Sequence, residues 1–446
     1  MQSTTEPQQG QLNLSQSIAT QNSPIAYGLG SFGLESLFQV FAGFYVFYYT
    51  EKLGLAITLA AIINLVYGIW DAVDDPIVGF LSDNTRTRWG RRKPWLLTAL
   101  PFYAGFLILI YAVPKPFQQG NALFWYALVI FCLFETAYTV MSVNYSALFP
   151  ELFQGLRERA RASSYFQSLS RLGELVGFSI APIIYARFGF VPMAMSFAVV
   201  SGIALFLGII GNKENPNALK APPLDVKGAF GEILRDRPFL LYSVAVTFLT
   251  YITAVLTLAT PFWVKYTVAS SAESTSLIFA IVFMTAILSA SLWGRFVHAL
   301  GLRRCWFLSI GLMAFAAIVL GIASNLVVGA IGAAIVGASM GGIQVCHLII
   351  VANFVDRGLE RTGHRREGIY YSLMRVLGKF SRIVDSLALV LLSVFFGYVS
   401  GENPGPHPGN GFRFLMSVIP FVLTVIAWLI STRLSFDNPP ASPQND

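Results

Sequence analysis

Charged residues are scarce in this chain of 446 residues. Only 12% of the residues are Asp, Glu, Lys or Arg and 55% are apolar, whereas about 25% charge is usual for a soluble domain. The 3 cysteines and 4 histidines are scattered without the spacing of metal ligands, and no set of nucleophile, base and metal ligands is visible. These shortages argue against a soluble domain and against an enzyme.

The apolar residues are gathered in long runs. A helix needs about 20 mostly apolar residues to cross a hydrocarbon core roughly 30 Å thick, and runs of this length recur along nearly the whole chain. They predict an all-α membrane protein with twelve transmembrane helices. The predicted spans are residues 25–50, 57–82, 94–113, 122–148, 161–187, 190–211, 239–268, 273–298, 303–323, 326–355, 367–398 and 411–433.

Lys and Arg residues are distributed unevenly between the loops. The formal net charge is +7, and 20 of the 30 Lys and Arg residues lie in loops after even-numbered spans, at 86–93, 157–161, 213–237, 295–304 and 357–366. Because basic loops stay on the cytoplasmic side, both termini are predicted to be cytoplasmic. We expect this basic surface to face membrane lipid rather than nucleic acid, in a multi-pass protein of the plasma (inner) membrane.

The longest polar break inside the chain is residues 212–238, with about six predicted spans on each side. It predicts a cytoplasmic linker between two six-helix halves, 24–211 and 239–433. Residues 1–23 contain no Lys or Arg and no apolar core of a signal peptide, so we expect a disordered cytoplasmic tail there. Residues 434–446 are expected to form a second such tail.

Three carboxylates interrupt the second span. Asp71, Asp74 and Asp75 lie in an otherwise apolar run, and a charged side chain at the centre of a membrane helix costs roughly 2.5–3.5 kcal/mol on insertion scales. Their i, i+3, i+4 spacing puts them on one helical face. This pattern indicates a seat for a cation. The alternative is that these acids cap the helix near its cytoplasmic end and pair with the arginines that follow.

The segment WDAVDDPIVGFLSDNTRTRWGRRKPW, residues 70–95, resembles the signature of the glycoside–pentoside–hexuronide:cation symporters, the melibiose-permease group of the major facilitator superfamily. FGLESLF, AYTVMSVNYSALFP and EGIYYSLMRVLGKFS extend the resemblance into both halves. CLFETAYTVMSVNYSAL is also similar to the sodium-dependent lysophosphatidylcholine symporter of animals. The resemblance implies a major facilitator fold that works as a monomer, with Asp83 and Arg86 in the superfamily's cytoplasmic loop motif and hence in coupling or gating.

The resemblance also implies a cation site. By motif, Asp71 and Asp75 match the family's coupling aspartates and Thr139 its hydroxyl ligand, so these three would hold a sodium ion. Asp74 stands where melibiose permease has an asparagine and adds a potential ligand. Carboxylate and hydroxyl oxygens suit a hard cation, and clustered carboxylates also share protons. The choice between sodium and proton stays open, and no other cofactor is expected.

For the substrate, Glu35 matches the family's sugar-binding aspartate. Melibiose permease has a lysine, a second aspartate and an arginine at the positions of Leu34, Ser142 and Gln167. The charged side chains that would bind a melibiose-like galactoside are therefore missing at these three positions. Ser142, Gln167 and Gln39 stay candidates for hydrogen bonds to a neutral sugar, beside the alternative of ordinary helix packing.

The eleventh span carries a basic stripe. Arg375, Lys379 and Arg382 follow an i, i+4, i+7 spacing, and Lys379 matches a family lysine near the cation and substrate sites. A buried ammonium needs a carboxylate partner, for which the second-span aspartates are candidates. We expect Lys379 to bind substrate and to couple the two sites. Arg375 and Arg382 are candidates for gating; the alternative is that they extend to the membrane surface (snorkelling) or make a polar contact between helices.

The sequence therefore predicts a secondary active transporter that uses a sodium ion or proton to carry a sugar or glycoside by alternating access. One alternative is a cation-coupled carrier of a lysophospholipid-like amphiphile, which the loss of pocket charges favours. A second alternative is a membrane sensor that does not transport. The expected partners are a small-molecule substrate, the coupling cation and membrane lipid.

Overall fold

The computed structural model describes residues 22–87, 90–153, 156–213, 236–362, 367–401 and 403–434. The predicted tails and linker lie almost wholly outside these ranges. The helices are α1 (Pro24–Phe47), α2 (Ile57–Asp83), α3 (Lys93–Tyr111), α4 (Gly120–Leu152), α5 (Leu156–Phe188), α6 (Phe190–Ile210), α7 (Arg237–Tyr266), α8 (Ala272–Leu300), α9 (Leu302–Ile322), α10 (Leu326–Thr362), α11a (Glu367–Lys379), α11b (Ser381–Phe396) and α12 (Pro408–Ser431).

Eleven of these helices, counted over the described ranges, are long and apolar enough to cross a membrane. The remaining predicted span, 367–398, is occupied by α11a and α11b together, so the prediction of an all-α protein with twelve spans is confirmed. The expectation that this span is one continuous helix is wrong. The amides of Phe380 and Ile383 bond to carbonyls three residues back, at Leu377 and Phe380, and this tighter 3₁₀-type turn separates the two segments.

The helices form two compact units. The described residues up to Tyr48, with those of Ile69–Pro222, make the first unit, and Tyr49–Gly68 with the described residues from Pro223 onward make the second. In the first unit α1 packs on α6, and α3 packs on α4 and α6. In the second unit α7 packs on α12, and α9 packs on α10 and α12. The same packing recurs six helices later, as in transporters built from repeated halves.

Glycine lets neighbouring helices approach closely in both units. A Cβ at Gly173 of α5 would lie 2.6 Å from the carbonyl oxygen of Phe32 and 3.2 Å from Cβ of Glu35. A Cβ at Gly337 of α10 would lie 2.1 Å from the carbonyl oxygen of Val282 on α8. Small residues at such contacts allow the van der Waals packing that drives helix association in lipid. The contact at Gly173 also brings Glu35 against α5.

We expect Gly337→Ala to lower the thermal unfolding midpoint of the purified protein, because the new methyl meets backbone that must move at a cost of about 1–3 kcal/mol. Gly294→Ala on α8 is the matched control, since nothing lies within 4 Å of its added Cβ. That control is expected to be neutral or slightly stabilising, because alanine favours helix over glycine. Equal midpoints for the two variants would contradict this account of the α8–α10 contact.

Candidate cation and substrate site

Three carboxylates of α2 converge in the first unit. Oxygen atoms of Asp71, Asp74 and Asp75 all lie within 4.8 Å of one another. Asp74 is buried, with 5% of its surface exposed, and the other two are half-buried. The i, i+3, i+4 spacing within a helix brings these side chains together. The group offers carboxylate oxygens, the ligand type that hard cations prefer.

The neighbouring helix α4 holds this part of α2 through two hydrogen bonds. Thr139 Oγ1, which is buried, donates to Asp74 Oδ1 at 3.2 Å. About one turn earlier on each helix, Trp70 Nε1 donates to Thr136 Oγ1 at 2.9 Å. The carboxylate that meets the Thr139 hydroxyl is therefore Asp74, the acid that melibiose permease lacks. Which helix-two acid faces α4 depends on how the helices pack, which the motif does not specify.

Glu135 is a fourth acid close to this cluster. It is 2% exposed and lies one turn before Thr139 on α4. Glu135 and Asp74 both lie within electrostatic range of the Cys132 thiol. In the sequence, the i, i+4 spacing of Glu135 and Thr139 puts both residues on one face of α4.

The candidate substrate residue Glu35 belongs to a second polar group, between α1 and α5. Its carboxylate accepts a hydrogen bond from Gln39 Nε2 at 3.3 Å. On α5, Arg171 Nη1 donates to both carboxylate oxygens of Glu174, at 3.1 and 2.8 Å. Gly173, between these two residues in the chain, packs against α1 next to the Cβ atom of Glu35. Opposite charges at i, i+3 inside a span are the sequence pattern of such an internal pair.

Tyr103 of α3 is close to both polar groups. Its hydroxyl donates to the carbonyl oxygen of Leu34 at 3.0 Å, and it is within electrostatic range of both Glu35 and Glu135. The predicted substrate residues Ser142 and Gln167 are less enclosed, because Ser142 is half-buried and Gln167 is exposed. Ser142 Oγ donates to the Thr139 carbonyl at 3.4 Å.

The loop between α2 and α3 takes part in a separate ion-pair network. The Arg92 guanidinium is buried; it pairs with Asp83 and donates to Ser82 Oγ at 2.7 Å. Arg91 pairs with Glu151 at the end of α4 at 2.6 Å. These contacts tie the end of α2 to α3 and α4. The gating candidate Arg86 of the same loop is exposed.

The basic stripe of the eleventh span falls at the helix break. Lys379 is the last residue of α11a and is half-buried, whereas Arg375 is exposed. The Arg382 side chain lies outside the described part of the structure. A lysine in the last turn of a helix is favoured by the helix dipole. Lys379 belongs to the second unit, and its predicted pairing with the second-span aspartates stays a prediction.

Comparisons with known proteins agree with this architecture. Over 422 residues, which cover 91% of this chain and 87% of the relative, the chain is 24% identical to the isoprimeverose transporter of Lactiplantibacillus pentosus. It is 26% identical to the sodium-dependent lysophosphatidylcholine symporter 1-B of Danio rerio, over 83% of this chain and 78% of that protein. The crystal structure of the nucleoside transporter NupG has the same fold, with a TM-score of 0.66 at 13% identity, over 92% of this chain and 99% of NupG.

A family model described as MFS/sugar transport protein matches residues 26–438. The predicted resemblance to the melibiose-permease group and to the lysophosphatidylcholine symporters is confirmed by these relatives. The chain is a multi-pass membrane transporter, and it belongs to the MFS/sugar transport protein family.

Proposed function

We propose that this protein is a cation-coupled symporter that carries a sugar or glycoside across the membrane by alternating access, with the coupling cation held by Asp71, Asp74, Asp75 and Thr139. The observation that carries the proposal is the Asp74–Thr139 hydrogen bond within the cluster of three carboxylates. It combines carboxylate and hydroxyl oxygens inside a span of a protein whose family is composed of transporters.

Electrostatic repulsion gives the cluster its preference for a cation. Two ionised carboxylates separated by the 4.8 Å limit of this group repel by about 3 kcal/mol at an effective dielectric constant of about 20. A sodium ion or a proton between them removes much of this repulsion. The Thr139 hydroxyl donates to Asp74 in the structure, and rotation about its C–O bond would offer its oxygen to a metal ion instead.

The alternative in which these acids only cap α2 is less well supported. The arginines that follow α2 have other partners, since Arg91 pairs with Glu151 and Arg92 with Asp83. We propose that this network of Asp83 and the loop arginines, Arg86 included, acts in gating. Lys379, with Arg375 and Arg382, is proposed to couple cation and substrate binding.

The polar group around Glu35 favours a neutral polyol over an anionic head group. Two carboxylates, Glu35 and Glu174, share the neighbourhood of one guanidinium, Arg171, so the group has a net negative charge when ionised. Such a group repels a phosphate but accepts hydrogen bonds from sugar hydroxyls. The second candidate, a carrier of a lysophospholipid-like amphiphile, is favoured by the 26% identity to a lysophosphatidylcholine symporter.

We also propose that the protein works as a monomer in the plasma (inner) membrane, with both termini cytoplasmic and acidic lipid against its basic loops. The concentration of 20 of the 30 Lys and Arg residues in the even-numbered loops supports this orientation.

A substrate screen in vesicles tests the function itself. Uptake of radiolabelled sugars and glycosides is compared with uptake of lysophosphatidylcholine, with and without a sodium gradient and at two pH values. We expect cation-driven uptake of a sugar or glycoside, with Glu35→Gln raising its KM about tenfold because a charged hydrogen-bond acceptor is lost. Lysolipid uptake without sugar uptake would establish the second candidate, and uptake of neither class would favour the sensor.

Asp74→Asn tests the cation site. Because it removes one of three clustered charges and the acceptor of the Thr139 bond, we expect cation-driven uptake to fall at least about tenfold, the effect of losing a charge-assisted contact. Equilibrium exchange of substrate without a gradient is expected to be less affected. The exposed Asp356→Asn on α10 is the matched control. Unchanged gradient-driven uptake by Asp74→Asn would contradict the proposed site.

The Thr139 hydroxyl gives a second test within the same site. Thr139→Val keeps the side-chain shape and removes the oxygen, so we expect the cation concentration for half-maximal uptake to rise about tenfold. Thr139→Ser retains the hydroxyl and should restore the parent value. If valine and serine behave alike in this titration, the hydroxyl is not a ligand.

A further inference from the structure

Glu51 carries a carboxylate that accepts hydrogen bonds from three side chains of the second unit. It lies in a single π-helical turn, Tyr48–Lys52, that follows α1, and its side chain is only 1% exposed. Its Oε2 accepts hydrogen bonds from the Lys265 ammonium and from the Tyr266 hydroxyl, the latter at 2.5 Å. Its Oε1 accepts a hydrogen bond from the Tyr398 hydroxyl. Three donors on one buried carboxylate make a strong, directional contact.

The donors are fixed in place by aromatic packing and by the backbone. The ring of Phe412 stacks on Tyr266, with centroids 5.7 Å apart, and meets Tyr398 edge-on at 5.1 Å. Gly397 ends α11b with φ +61°, a left-handed conformation that glycine adopts without strain. An ionised carboxylate only accepts hydrogen bonds, so the Tyr398 hydroxyl is the donor in its contact with Glu51.

The position of Glu51 along the chain gives these contacts a mechanical consequence. Residues 49–68 belong to the second unit, although the chain on either side, up to Tyr48 and from Ile69, belongs to the first. Glu51 therefore fixes the segment that joins α1 to α2 onto α7 and the loop after α11b. Loss of these donors would leave the Glu51 carboxylate, which is 1% exposed, without hydrogen bonds, and this is unfavourable for a buried charge.

The charge pattern supports a specific role for the pair. Only five Lys or Arg residues lie at the non-cytoplasmic ends predicted by the positive-inside rule, and Lys265 is one of them. Another is Lys52, which adjoins Glu51 but is exposed. One of the few basic residues on this side is thus bonded to the buried carboxylate.

We infer that Glu51, Lys265, Tyr266 and Tyr398 form a latch that stabilises the state of the transport cycle in which residues 49–68 are docked on α7. The latch opens when the outer side of the transporter opens to substrate. This inference rests on the proposed alternating-access function, because the latch has a role only if the segment docks and undocks during the cycle.

Thiol labelling tests the latch without a known substrate. Leu55 of the same segment is buried, with 4% of its surface exposed, and it is replaced by cysteine. The background is the full-length protein with its three native cysteines replaced by alanine. Intact cells are then treated with a membrane-impermeant maleimide. We expect Glu51→Gln to speed labelling of this cysteine about tenfold or more, the effect of losing hydrogen bonds to a charged group. Tyr398→Phe removes one donor and should give a smaller increase.

Lys52→Gln is the control, because it removes a neighbouring charge outside the latch. The inference would be overturned if Glu51→Gln were labelled at the same rate as the parent protein. It would also be overturned if Lys52→Gln accelerated labelling as much as Glu51→Gln does. If Glu51→Gln does not reach the membrane, the labelling rate of Tyr398→Phe decides. A Tyr398→Phe variant that is labelled no faster than the parent protein would then overturn the inference. Labelling does not depend on uptake, so accelerated labelling in a protein that transports nothing would reject the proposed function and keep the contact as a conformational lock.

Discussion

The cost of holding carboxylates inside a membrane-spanning helix is the constraint on which the rest of the structure depends. Asp71, Asp74 and Asp75 would each be unfavourable against lipid, and they lie close enough to repel one another. α4 reduces that cost by presenting the Thr139 hydroxyl to Asp74. In the proposed cation site a bound cation would complete the charge balance, and its occupancy would become an energetic term that a conformational change can use.

Packing transmits this constraint through the first unit. The Trp70–Thr136 and Asp74–Thr139 hydrogen bonds fix α2 on α4, while glycine on α5 brings the Glu35 group close to its neighbours. Tyr103 of α3 is close to an acid of each group, Glu35 and Glu135. The candidate cation and substrate residues thus belong to the same compact unit.

Much of this could be predicted from the sequence because the signals are local. Apolar run length gives the spans, and the i, i+3, i+4 spacing puts the three aspartates on one face. The break at Phe380 has no proline to mark it. The pairing of Thr139 with Asp74 depends on helix packing, and the donors to Glu51 lie 214 to 347 residues further along the chain. Such contacts leave no periodicity in a single sequence.

Infrared difference spectroscopy of the carboxyl bands tests the central claim most directly, since it detects both sodium coordination and protonation. The purified protein is compared with and without sodium and across a pH step. The account predicts a difference signal from one or more carboxyl groups that is lost in Asp74→Asn and retained in Asp356→Asn. A full difference signal in a variant with Asp71, Asp74 and Asp75 all replaced by asparagine would contradict it.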